Sequence, residues 1–590
     1  MNAGYVGKRK EKACLWYDTI KKLKPVQVRH QVLKRICRKA VPKEQAPPHG
    51  VQNARIAIPE LDADSAWIGR FDMEALLQGR VCLLHECHRL DGTWQQPDAA
   101  HLWNYNLHYL EFLLALAAEY KASGREPCRG RWIEIMDSWL GHAGQSRDAY
   151  EPYVISMRMV NVLAAVELLG SLPDSFMQKV HASLYSQYRH LIRSRELALL
   201  ANHYFENLKA ILIGSIYFRE PDIYRKFFPL FLGQVKEQVL PDGMHFERSM
   251  MYHRIVLEGM LRVCTVQCSA GLFPDARKLF PAVRAMAGAL RIERGLSCTP
   301  LFNDAGNNVA KPAASLAAAC ARIAGQEKRN PEEKAARPGM GSTALPYAGY
   351  FRLDNGRYVL LFDSGDIGPE YMGGHAHDDC LSFELYADGK PVFANSGTGQ
   401  YQGECRGFFR SAEAHNTVMI DDREPSQLWG EHRAGRRISG IKAKMRGNSV
   451  CGQFRSCQGD IFKRRACWKS GSLHITDILS AAGSGRHTAR LFFHLAPGFC
   501  YARSGNAAWI LEEKTKTRIG KIVLPGLADA RIHTKGLMAL HASDFGRYEK
   551  KQVLEIRSDF REKTRLYTEI QLFERAACTV KQQQAEVKAW

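Results

Sequence analysis

The hydrophobic pattern of this 590-residue chain changes period once, near residue 340, and that change limits it to a two-part architecture. From about residue 100 to 330, apolar residues recur at helical spacing in Leu107–Tyr120, Arg131–Leu140, Tyr153–Leu169, Met177–Ile192, Tyr204–Phe218, Phe227–Leu240, Tyr252–Cys268, Ala276–Ile292 and Ala314–Ile323. Short polar or Gly/Pro connections make successive helices antiparallel neighbours, which predicts a helical toroid or an array of hairpins. A charged stretch with Pro and Gly, 331–345, reads as a linker. Beyond it the period is two, in short runs such as Tyr358–Phe362, Leu381–Tyr386, Leu473–Ile478, Ala489–Leu495 and Thr568–Phe573, so 346–590 is expected to form an antiparallel β-sandwich. Residues 1–95 are a mixed, partly helical lead-in, and 96–330 is the helical domain.

Charge narrows the partners. Lys and Arg number 82 against 61 Asp and Glu, a net +21, which favours an acidic polysaccharide, a nucleic acid or an anionic membrane surface. No groove-reading or RNA-binding motif is present, so nucleic acid is not expected. The basic, partly amphipathic segment Ile20–Val41 suits peripheral contact with an anionic membrane, or simply a solvated helix face. Sixteen cysteines without a Cys-x-x-Cys pair read as free thiols in a reducing compartment. The first residues hold no apolar core of signal-peptide length and no run reaches membrane-spanning length, which points to the cytoplasm.

Four segments carry chemistry. Gly373-Gly374-His375-Ala376-His377-Asp378-Asp379, with His415-Asn416-Thr417 further on, gathers imidazoles and carboxylates suited to proton transfer or metal binding. His377 and His415 plus an oxygen donor would suit zinc or a similar divalent ion. In the helical half, Asn202, His203 and Glu206 share one helix face and can present an amide and a charge-tuned imidazole to a groove; an N-cap and a helix pair would look the same. Arg248 and Tyr252 fall one turn apart, so the cation could lower the phenol's pKa or bind a carboxylate. Trp103 and Tyr105 offer flat rings of the kind found in sugar clefts, or in helix packing. The Asp388-Gly389 turn sets Gln400 opposite His377 and Asn395 opposite Ser382 if the hairpin stays regular.

This ordered set of motifs across two domains resembles the heparinase II/III-like polysaccharide lyases. The resemblance implies an incomplete (α/α) toroid followed by an antiparallel β-sandwich, and β-elimination on a uronic-acid-containing polysaccharide. It implies that Asn202, helped by His203 and Glu206, neutralises the uronate carboxylate, and that His375 and Tyr252 divide the base and acid roles. His377 and His415 match the family's ligands for a structural metal. Asn395 stands where an Asp often completes that site, and a neutral amide would weaken it. Arg248, Arg410 and Trp429, with Trp103 and Tyr105, would hold the anionic chain. The family implies the periplasm or cell envelope, against the cytoplasm suggested by the N-terminus, and a link to exopolysaccharide or capsule metabolism.

Three other readings use the same residues. A toroid glycoside hydrolase would need two carboxylates from Glu206, Asp242 and Glu247 and leaves the histidines idle. A non-catalytic acidic-glycan-binding or assembly protein would keep the cleft without turnover. A metallo-β-lactamase-like hydrolase is imitated by His375-x-His377-x-Asp379, but Cys380 stands where that motif needs a histidine.

Overall fold

The computed structural model describes residues 3–36, 42–48, 56–57, 60–146, 148–323 and 341–573. Most of the predicted linker, 331–340, lies outside them, as do residues 37–41 of the basic segment. Helices occupy the described chain up to Ile323, and strands dominate from Thr343 onward.

The toroid is built from helix pairs whose apolar stripes meet in one core. Pro152–Leu169 and Ala201–Tyr217 form its inner layer, and Leu163, Phe205, Leu208, Ile211 and Leu212 are almost wholly excluded from solvent. Pro152 opens its helix at the first turn, where the missing N–H costs nothing. By length and composition this helix could cross a membrane, contrary to the sequence expectation, yet 78% of it is buried within the protein. The run Leu107–Tyr120 is two helices, His101–Tyr109 and Phe112–Ser123, because Leu110 adopts a left-handed φ of 51° between them.

The lead-in belongs to this core. Ile56, Leu61, Phe71, Leu76 and Val81 pack into it, and the buried carboxylate of Asp62 accepts from Arg262 at 2.7 Å and lies 3.4 Å from Lys311. Removing one partner from such a buried cluster costs about 3–5 kcal/mol. Cys82 and Cys87 form a disulfide across the hairpin Arg80–Leu83/Glu86–Arg89, correcting the expectation of free thiols throughout.

The strand half is a sandwich. One layer is an eight-stranded antiparallel sheet in the order Ser439–Arg446, Ser449–Arg455, Ile461–Lys469, Ser472–Ser480, Lys563–Leu572, Arg518–Val523, Ala507–Glu512 and Phe499–Ser504. Facing it are a five-stranded meander, Thr343 to Phe393, and a four-stranded sheet centred on Val553–Arg561 and Arg486–His494. Phe351, Phe362, Phe383, Phe454, Leu473, Leu491 and Ile556 join all three sheets in one core.

The Asp388-Gly389 hairpin forms, but its regular register lasts two pairs. Ala387 faces Lys390 and Tyr386 faces Pro391, then a bulge sets Leu385 against Phe393. The strand ends at Phe393, so the pairings expected for Gln400 and Asn395 do not exist. Asn395 instead donates its backbone N–H to Glu384 at 3.0 Å.

Candidate active site

A cleft of about 1540 Å³ opens between the toroid and the sandwich. Asn202, His203, Glu206, Trp103 and Tyr105 line it from the helical side, with Tyr252 beside them and His375 and Tyr401 opposite. The N-terminal helices Ala3–Ile20 and Pro25–Ile36 border its mouth through Trp16, Thr19, Gln27 and Val28.

On the helical wall, Asn202 begins Ala201–Tyr217 and its amide donates to both oxygens of Glu247, at 2.9 and 3.1 Å. His203 Nδ1 bonds Glu196 at 3.1 Å, and its ring lies 4.6 Å from that of Tyr153. Burial disfavours its charge, but Glu196 outweighs this and raises its pKa. Glu206 is fully buried and ion-paired with Lys209 one turn on. Trp103 is buried with its indole N–H on the Glu86 carbonyl, 3.1 Å away, and Tyr105 packs edge-on against His101.

Tyr252 enters from the first turn of Met250–Ser269, a helix capped by the Ser249 hydroxyl, which accepts from the Tyr252 N–H at 3.2 Å. Its ring stacks 4.2 Å from His375, and its hydroxyl meets that of Tyr401 at 2.6 Å. Burial, reinforced by Tyr401, pushes the Tyr252 phenol well above its ordinary value. The cation expected to lower it is elsewhere: Arg248 has a left-handed φ of 56° and its guanidinium bonds the carbonyls of Ala348 and Tyr347.

The strand wall is organised by Asp304, which the sequence reading did not single out. Its carboxylate receives His375 Nδ1 at 2.9 Å, His377 Nε2 at 2.8 Å and a two-pronged guanidinium from Arg406. Burial opposes its charge, but Arg406 and the two imidazole bonds hold it well below the usual carboxylate range. An ionised Asp304 can only accept, so His375 carries its proton on Nδ1. Its Nε2 points the other way, 3.7 Å from a Glu247 oxygen. Glu247 thereby bridges Asn202 and His375, and the amide, the phenol and the imidazole all line the same cleft.

His377 and His415 face each other in a way that hydrogen bonding does not satisfy. His377 donates Nε2–H to Asp304, and His415 donates Nδ1–H to the Ser411 carbonyl at 2.8 Å. Burial lowers the His377 pKa to about 4 and that of His415 well below its ordinary value, so both rings are neutral. Two lone pairs, His377 Nδ1 and His415 Nε2, therefore stand 3.2 Å apart with no proton between them. An electrophile would resolve that contact, and a carboxylate oxygen of Asp379 completes a buried triad whose ligand atoms lie within 4.8 Å of one another. The donor set fits a divalent ion, with Asp304 as the partner that fixes the His377 tautomer. The expected third donor, Asn395, has its amide oxygen on the Asn416 N–H at 3.0 Å and its Nδ2 buried without a partner.

Two further expected substrate contacts lie outside the cleft lining. Arg410 is buried and donates to the carbonyls of Gly373, Ala376 and Glu431, at 3.1, 3.0 and 3.2 Å, which holds the histidine loop in shape. Trp429 packs edge-on against Trp16 and donates to the Thr19 hydroxyl at 3.1 Å. Of the hydrolase carboxylates, Asp242 accepts the Tyr347 and Ala348 N–H groups at 2.7 and 2.8 Å, and the other two are engaged as described. Asp379 falls inside the histidine segment the sequence reading had marked and Glu247 among the carboxylates it weighed for a hydrolase, whereas Tyr401 lies one residue beyond Gln400 and was not singled out. Asp304 lies between Leu301-Phe302 and Ala305, in a segment with no motif to signal it.

Fold and cleft together define a toroid-and-sandwich protein with a His/Tyr/Asn cluster at the domain junction. Residues 86–319 match the model of the heparinase II/III N-terminus and residues 337–559 that of the heparinase II/III-like C-terminal domain. The chain belongs to the heparinase II/III-like family. A heparin-sulfate lyase of Pedobacter heparinus is 23% identical over 367 residues, 56% of this chain and 54% of that protein. One from Bacteroides thetaiotaomicron is 23% identical over 412 residues, 61% and 58% of the two chains. The chain thus spans just over half the length of these curated relatives. Among solved structures, heparinase III superposes with a TM-score of 0.63 at 16% identity, covering 92% of this chain and 88% of that one. Heparan sulfate lyase HepC from Pedobacter heparinus gives 0.54 at 16% identity, covering 95% and 88%. These likenesses establish the fold.

Proposed function

We propose that this protein is a polysaccharide lyase, a carbon–oxygen lyase that cleaves a uronic-acid-containing acidic polysaccharide by β-elimination. The observation that carries this reading is the contact between His375 and Asp304: Nδ1–H donates to that carboxylate, which turns Nε2 to the cleft as the base, in ring contact with a protonated Tyr252. His375 Nε2 removes the uronate C5 proton. The C5–H electron pair forms the C4–C5 double bond as the C4–O bond breaks, and the Tyr252 phenol protonates the departing oxygen. A phenol held neutral by burial suits the acid role and not the base role. Asn202, with His203 alongside, would neutralise the uronate carboxylate as charge spreads onto it in the transition state. The heparin-sulfate lyase relatives support an acidic polymer as substrate.

We infer further that His377 Nδ1, His415 Nε2 and Asp379 hold one divalent ion, with zinc the best match to two imidazoles and a carboxylate. Bound there, the ion would supply a structural brace. His375 stands two residues before His377 on the same loop, and Asp304 touches both histidines.

A screen of acidic polysaccharides for new ultraviolet absorbance tests the reaction, because elimination makes an unsaturated product and hydrolysis does not. Tyr252→Phe and His375→Ala should each lower product formation by roughly 10²-fold or more with the melting temperature nearly unchanged. Undiminished turnover in both would remove them from the mechanism.

A further inference from the structure

The outer face of the eight-stranded sheet carries six cations in ordered rows, and the cleft does not use them. Strand alternation turns Phe454, Phe462, Ala466 and Leu473 into the sandwich core and their neighbours outward. One cross-strand row contains Lys442, Lys463 and Arg565, separated by Gln453 and Ile478. The next contains Lys444 and Arg465 and ends on the half-exposed ring of Tyr567. The third begins at Arg446 and ends at Glu569, the one carboxylate in these three rows. All six cations are exposed, and among the described residues none of them forms an ion pair.

Folding gains nothing from this arrangement. Like charges on one sheet face repel and cost stability. Lysines on an edge strand discourage sheet-to-sheet aggregation, which accounts for Lys442 and Lys444 on the edge strand Ser439–Arg446. It does not account for Lys463 and Arg465 two strands in, or Arg565 four strands in. With strands about 4.8 Å apart, cations two strands apart in a row stand about 10 Å from each other, and cations two residues apart on a strand about 7 Å. That is a flat grid on the scale of successive anionic sugars in an extended chain. It also leads to the cleft. The edge strand begins two residues after Arg437, which lines the cleft, and Arg436, Arg455, Lys21 and Lys22 surround a shallow depression at that junction.

We propose that this face is a second, non-catalytic docking surface for an acidic polysaccharide, on which a long chain lies while one of its segments occupies the cleft. Its effect on turnover rests on the lyase reading, whereas binding does not. Many weak ionic contacts in series give affinity that grows with chain length and falls with salt.

The test uses the full-length chain carrying K442E, K463E, R465E and R565E together, with a glutamine set at the same positions as a milder control for folding. In a Tyr252→Phe background, binding of long heparan sulfate and long alginate is measured by calorimetry beside a tetrasaccharide of each. Affinity for at least one long polymer should fall roughly tenfold or more while tetrasaccharide affinity holds. In the active protein, kcat/KM should fall on polymer and stay constant on tetrasaccharide. Unchanged long-polymer affinity overturns the proposal. So does a loss confined to vesicles of phosphatidylcholine and phosphatidylserine, which would make the face a membrane contact. If no polymer is cleaved yet the variants lose long-chain binding, the docking surface stands and the lyase reading falls.

Discussion

On the helical wall of the cleft, Asn202, His203 and Glu206 occupy the first turns of one helix, and each is held by its own partner: Glu247, Glu196 and Lys209. On the strand wall, His375 and His377 share one anion, Asp304, which comes from 71 residues earlier in the chain and is itself held by Arg406. A defect in the first wall should stay local, because each contact is separate. A defect at Asp304 should spread, because it removes the tautomer of one histidine, the orientation of the other and the counter-ion of a buried guanidinium at once. Buried polar networks of this kind stand or fall together.

The largest effect should come from Asp304→Asn, which leaves Arg406 buried and uncompensated at a cost of about 3–5 kcal/mol in urea unfolding. Product formation by the folded fraction should fall as well. The same residue sets a pH dependence. Its folded pKa is depressed, so its contribution to stability is present above the unfolded value of about 4 and is lost as pH falls through the lower folded value. Wild type should therefore lose stability on acidification below about pH 4 more steeply than the variant. An equal slope in both would show that folding does not shift the Asp304 pKa.

Next in size is Lys209→Met, which strands the Glu206 carboxylate and should cost about 3 kcal/mol, with most of it recovered in the double variant carrying Glu206→Gln. If the single change lowers turnover as severely as Asp304→Asn does, the contrast between a local and a shared wall is wrong. Replacing Cys82 and Cys87 by Ser opens a short loop at the cleft mouth and should cost about 2 kcal/mol of thermal stability, read by calorimetry with and without reductant. The smallest effect sharpens the metal site. His415→Ala should abolish zinc retention after dialysis. Retention by His415→Ala equal to wild type would remove His415 from the ligand set.

Much of the site was legible because its chemistry sits in short local motifs. The spacing of Asn202, His203 and Glu206 and the His375-x-His377 pair needed only a helix period and a loop to be read as clustered groups. The arginines and Trp429 were misread for different reasons. Arg248 and Arg410 donate to backbone carbonyls, and every residue supplies a carbonyl, so nothing in the sequence distinguishes a loop-bracing guanidinium from one awaiting a substrate. Trp429 lost its sugar-facing role to a helix more than four hundred residues away in the chain, through Trp16 and Thr19. Asn395 was placed by a regular hairpin that a single bulge ended.

The sequence by itself determined where the apolar period changes, hence the toroid, the sandwich and the groups brought to their junction. Periodicity and spacing are local, and they survive being read one segment at a time. Only the tertiary structure decided which nitrogen of His375 faces the cleft, that the two remaining imidazoles meet lone pair to lone pair, and that the sheet's outward cations line up in rows. Those properties depend on which distant atoms share a low-dielectric space, and on strand register, neither of which a linear pattern contains.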